Sequence, residues 1–138
     1  MNLAHVHIIL NHFPTIGTVI GLALFVLALL GKNNEVKRFA LGLFLITGIL
    51  VIPTYLSGSA ASEIIADQAG TSEALIQAHQ DKALVAFLFA GITAAFAWIG
   101  LWEFRRFGVE KRWNSTVVLL LGIAAWVARH RQQTACRE

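Results

Sequence analysis

The sequence predicts an all-α membrane protein, a bundle of four transmembrane helices with a short amphipathic outer helix between the second and the third. Composition is the first reason. Hydrophobic residues fill 57% of the 138 positions and charged residues 14%, where a soluble domain carries roughly 25% charged residues. Continuity is the second. No acid or base interrupts the chain from Ile8 to Leu30, and about 23 residues at about 1.5 Å each reach about 34 Å, enough for a hydrocarbon core about 30 Å thick. The third reason is the placement of the charges, which gather in loops between apolar runs. The chain has room for one domain, residues 1–138.

The first helix covers about 8–30. Pro14 either sits near its start or kinks it and frees a carbonyl near Leu10. Gly17 and Gly21 form a small-x-x-x-small pattern that lets another helix approach closely. Gly31 and the polar GKNNEVKR end the span. The second helix covers about 39–55, with Pro53 near its end. Between Ser57 and Gln80 the chain turns polar and acidic, with Glu63, Asp67 and Glu73. Ser59 can cap a short amphipathic helix anchored by Ile64 and Ile65 and ended by Gly70. Thr71 or Ser72 can cap the third helix, with Glu73 in its first turn, where the helix dipole favours an acid. That helix takes in His79 near its outer end and covers about 79–103. The fourth, about 114–128, offers only about 15 apolar residues, or about 22 Å. It crosses fully only if the bilayer thins or Arg129 snorkels. A polar tail, 129–138, follows.

The excess of base over acid is a topology signal, and nucleic-acid binding is not expected. Lys32, Lys37, Arg38, Arg105, Arg106, Lys111 and Arg112 all lie in the loops at 31–38 and 103–113. The positive-inside rule makes both loops cytoplasmic, and the expected location is a bacterial inner membrane. Four crossings then leave Arg129, Arg131 and Arg137 on the opposite side, a conflict that a half-inserted fourth helix removes. Trp102 and Trp113 flank the second basic loop as interfacial anchors. The N-terminus lacks the basic region of a cleavable signal peptide. One cysteine, Cys136, supports neither a disulfide framework nor covalent haem attachment. Asn114-Ser115-Thr116 matches a glycosylation acceptor but sits at the cytoplasmic rim and is set aside.

In this topology His5, His7, His12, His79 and His130 all fall on the outer side. A histidine at membrane depth needs a partner and is a functional candidate. Neutral imidazole suits haem iron, copper or zinc, and helical bundles hold such groups between facing helices. Haem b needs an imidazole on each side and apolar walls. Helices one and three offer His12 beside Phe13, and His79 ahead of Phe87 and Phe89. Depth leaves the choice of pair open. His12 stands about 27 Å from the inner end of its helix, His79 about 34 Å and His7 about 34 Å. His7 and His12, five apart, point roughly 140° away from each other on a straight helix. A weak twofold repeat sets His12 and His79 in matching places. The plainer alternatives are solvation for His5, a solvated face for Glu63 and Asp67, and hydrogen bonds for His12 and His79 to backbone, Asn11, Glu73 or Asp81.

The stretch HIILNHFPTIG, residues 7–17, resembles the H-P-x-x-x-H-F-P-[IV] first helix of a widespread family of small bacterial four-helix membrane proteins. His7, His12, Phe13 and Pro14 match, and Ile8 stands where the family carries proline. His79 is similar to the family's histidine at the start of helix three. The resemblance implies haem b binding and membrane electron transfer, in some members within a larger complex. Family members often carry a histidine with glycines near the end of helix four. The ending VARHRQQTACRE departs from that pattern, so no role is carried over to His130.

Taken together, these features lead to the expectation of a membrane electron-transfer subunit rather than a stand-alone enzyme. Haem b sits near the outer face, with His12 and His79 as first-choice axial ligands, His7 as the substitute for either, and Phe13 in the pocket wall. Electrons would pass between quinol and an outward-facing acceptor, with lipid and other membrane or periplasmic redox subunits as partners. The runner-up is a cofactor-free structural or assembly subunit. A third reading is a copper or zinc site built from His5, His7, His12 and His79.

Overall fold

The computed structural model describes residues 3–66 and 72–135, apart from the side chains of 3–8, 61, 64–66, 132–133 and 135. Four helices follow one another: α1 (Leu3–Leu30), α2 (Asn34–Ala66), α3 (Glu73–Phe107) and α4 (Arg112–Ala135). Each packs on its neighbours in sequence and α4 closes back on α1, while α1 and α3 make no direct contact among the described residues. The result is an up-down-up-down ring in which α1 and α3 are diagonal partners. Three helices, α1, α2 and α3, are long and apolar enough to cross a membrane. The chain is read accordingly as a membrane protein whose helices contact lipid.

The fourth helix is not long and apolar enough to be such a span. Arg112, Arg129 and Arg131, with Asn114 and Ser115, dilute its apolar run. The Arg129 side chain is largely buried against the bundle.

The expected amphipathic outer helix is also replaced. Pro53 does not stop α2, which continues to Ala66 as one helix. Beside the proline, Thr54 Oγ1 donates to Leu50 O at 2.8 Å and Ser57 Oγ to Thr54 O at 2.9 Å. Ser59 Oγ donates to Leu56 O and caps nothing. At about 1.5 Å per residue, α2 and α3 each reach about 50 Å, well past a bilayer core of about 30 Å. Their far ends are joined by Gln80 Nε2 donating to Ser62 Oγ at 2.8 Å. Asp67, Gly70, Thr71, Cys136 and Arg137 lie outside the described residues. Ser72 is the N-cap of α3 but makes no side-chain capping bond. Gly108 takes the left-handed conformation, φ 76°, that ends α3, a geometry open to glycine at little cost.

Pro14 lies inside α1 and is buried. Its missing N–H frees the Leu10 carbonyl, which receives a long bond of 3.4 Å from Thr54 Oγ1. The small-residue pattern of α1 serves α2, since a Cβ at Gly17 would strike Thr47 and one at Gly21 would lie 3.1 Å from the Phe44 ring. The large buried side chains Phe25, Leu41, Phe44, Phe104 and Val118 form the core, in the half of the bundle nearer the basic loops.

Candidate functional site at the histidine end

Both ends of the bundle carry polar side chains, and α1 and α3 bring the candidate histidines to the same end. Buried residues recur on α1 at Pro14, Thr18, Gly21, Phe25 and Ala28, the spacing of an inward helical face. His12 and Phe13 are not on it. Both are exposed, Phe13 at 59%, and with Ile9 and Ile16 they line a shallow apolar ledge on the outside of the bundle. His79 is half-buried on α3. His7 lies in α1, with its side chain outside the described set.

Contacts at several depths fix the axial register. Leu10 meets Thr54 and Gly17 meets Thr47 across α1 and α2. Gly48 meets Ala94, Tyr55 stacks on Phe87 at 4.9 Å, and Ser62 bonds Gln80 across α2 and α3. In this register His12 stands level with Ile52, and Ile52 with Ala90. His79 lies eleven residues beyond Ala90, about 16 Å along the helix. A bis-histidine haem needs both imidazoles at its iron. The pair His12–His79 is thus offset along the bundle, and His12 lies on the exposed side of α1. His7 stands level with Val85, six residues or about 9 Å from His79, and is the nearer of the two. No group of three or more His, Cys, Asp or Glu residues able to hold a metal ion occurs among the described residues; the side chains of His5 and His7, half of the proposed copper or zinc set, lie outside them.

The same end holds one more buried polar side chain. Arg129 is 6% exposed, and its Nε has no hydrogen-bond partner. Thr54 is buried near the same end, and Asn11 is half-buried.

The basic end carries a network that the sequence reading missed. Lys37 of α2 meets Glu110 at 2.8 Å, with the glutamate side chain fully buried. Glu110 also accepts from Asn114 Nδ2 at 2.6 Å and from Ser115 Oγ at 2.8 Å. Asn114 Nδ2 reaches Phe96 O at 3.2 Å, and Glu103 accepts from the Lys111 backbone N–H at 3.0 Å. Lys37 Nζ sits about equally over the Phe25 and Phe104 rings, at 6.0 and 5.9 Å. The signal of this network in the sequence is two acids, Glu103 and Glu110, inside an otherwise basic loop. Asn114, part of the glycosylation match, is fully buried in it. Trp102 and Trp113 are both about half exposed, as interfacial anchors require.

No family model, curated protein or solved structure matches the chain.

Proposed function

We propose that the chain is an electron-transfer subunit of a larger bacterial membrane complex, holding haem b at its histidine end, with the basic loops on the cytoplasmic side. One observation carries the reading. On α1 the buried residues Pro14, Gly21 and Ala28 recur every seven positions, and one more step of that repeat falls on His7. On α3 the buried residues Ala86, Thr93 and Gly100 recur in the same way, and one more step falls on His79. Because α1 and α3 are diagonal, the buried residues of the two repeats face the bundle axis from opposite sides.

His7 and His79 are the axial ligands in this proposal, and His12 is not. Both are positions at which the sequence resembles the haem-binding family. Haem b with two imidazoles supplies one-electron transfer and leaves iron no open coordination site. Tyr55 and Phe87, two turns deeper than His79, give the pocket an aromatic wall. The exposed ledge of Ile9, His12, Phe13 and Ile16 remains as a surface for a partner subunit, and quinol is the proposed donor. That ledge is also what favours the second reading, a cofactor-free assembly subunit.

The test is the visible spectrum of the detergent-purified protein. A Soret band with α and β bands on reduction is expected, lost in His7→Ala and in His79→Ala and kept in His12→Ala. Loss in His12→Ala with retention in His7→Ala overturns the register argument. A wild-type protein without haem bands, after expression with ample haem, leaves the assembly subunit as the reading.

A further inference from the structure

The geometry points to an oxyanion site at Arg129 that takes the phosphate of an anionic phospholipid entering along the seam between α1 and α4. This goes beyond the haem proposal and does not depend on it. Ser115, Val118, Gly122 and Ala125 form the buried face of α4, and Arg129 is the next residue on that face. Its side chain is therefore buried against the bundle, with Nε enclosed and unpartnered. Among the described residues no carboxylate pairs with it: Glu110 is held by Lys37, and Glu35 by Arg38. Glu63, Glu73 and Asp81, the described acids nearest that end, are all exposed to solvent.

A buried cation without a counter-charge is among the costliest arrangements in a protein. In a bilayer the abundant counter-charge is the lipid phosphate. Guanidinium binds phosphate through two parallel hydrogen bonds, which a lysine ammonium cannot copy. The depth agrees with a headgroup. Arg129 lies fifteen residues along α4 from Asn114 in the basic-end network, about 22 Å away, so its guanidinium meets the opposite headgroup layer by extending outward along the helix or where the bilayer thins. On the neighbouring turn, Trp126 is partly exposed and stacks on His130 with ring centroids 5.9 Å apart, as aromatic residues do at the headgroup level. Access is also provided, because α4 packs more lightly on α1 than on α3.

Free inorganic phosphate shares the chemistry, so the test separates the two sources. The full chain in a non-ionic detergent is followed by thermal midpoint and native mass spectrometry with added phosphatidylglycerol, phosphatidylcholine or inorganic phosphate. Phosphatidylglycerol alone is expected to raise the midpoint and to remain bound as a single lipid. Arg129→Gln should weaken that binding roughly tenfold or more, whereas Lys82→Gln and Arg131→Gln, at exposed positions, leave it intact. Equal effects of the two lipids on the wild-type protein overturn the proposal, whether or not the Gln variant folds. So does full retention of phosphatidylglycerol by Arg129→Gln. A midpoint shift with inorganic phosphate alone overturns the lipid as the source.

Discussion

The two ends of this bundle handle buried charge in opposite ways. At the basic end Lys37 is 12% exposed, and its partner Glu110 has three donors on its two carboxylate oxygens. The network ties the start of α2 to the loop between α3 and α4, and the buried Asn114 Oδ1 that it leaves unpaired is uncharged. At the histidine end Arg129 is as deeply buried and pairs with no acid among the described residues. The interior there is built of small or hydroxylated residues (Thr18, Thr47, Thr54, Ala86, Ala90, Thr93) where the other half has Phe25, Leu41, Phe44 and Phe104. A closed network beside a bulky core serves to hold the helices together. A buried arginine beside small side chains gives the other end no such tie.

The sharpest way to break that contrast is to remove one cation at each end. Lys37→Met strands Glu110 in a buried site, and losing one member of a buried ion pair costs about 3–5 kcal/mol. Arg129→Met strands no described carboxylate and removes an unpaired charge, so in detergent without anionic lipid its stability should hold or rise. Denaturation midpoints of the two variants, measured side by side, check this. Similar losses in both would mean that Arg129 is as well paired as Lys37, and the contrast between the ends would fail.

A middle-sized effect is expected at Gly100. A Cβ there would lie 2.8 Å from both Asn114 Nδ2 and Glu110 Oε1, and 3.0 Å from Leu41 Cδ1. Gly100→Ala should therefore spread the network, at about 1–3 kcal/mol for an overpacked site. The same change at Gly91, where a Cβ would meet nothing within 4 Å, should be neutral or favourable, because alanine gains up to about 1 kcal/mol over glycine inside a helix. Equal destabilisation by both would trace the effect to helix propensity or lipid contact and away from the network.

The helices were legible because hydropathy runs and loop charges are local in sequence. The three longest spans, the close approach at Gly17 and Gly21, and the freed Leu10 carbonyl all follow from residues within a turn or two. Pro53 was misread because proline breaks helices in water, whereas it is tolerated within membrane helices, and α2 runs on through it. The site was harder to read. His12 stands out in the sequence beside Phe13 and Pro14, but which way it faces depends on the phase of the buried repeat, and that phase is set by α2 packing at Gly17 and Gly21. The depth offset between His12 and His79 depends on two interhelical registers in succession, neither of which is written in any single segment. Lys37, Glu110 and Asn114 come from separate parts of the chain, so only their packing reveals them as one network.

The smallest expected effect isolates burial from charge. Glu35 and Arg38 form an ion pair of 3.3 Å at the same basic end as Lys37 and Glu110, but their side chains are 82% and 49% exposed. Water screens such a pair and the two long side chains lose freedom in forming it, so exposed pairs contribute little. Glu35→Gln should leave the midpoint unchanged within error at moderate salt, although it removes a charge only two residues from Lys37 in sequence. If it destabilised the protein as much as Lys37→Met, the basic end would be held by its overall charge balance, and the burial of Glu110 would not be what distinguishes it from the histidine end.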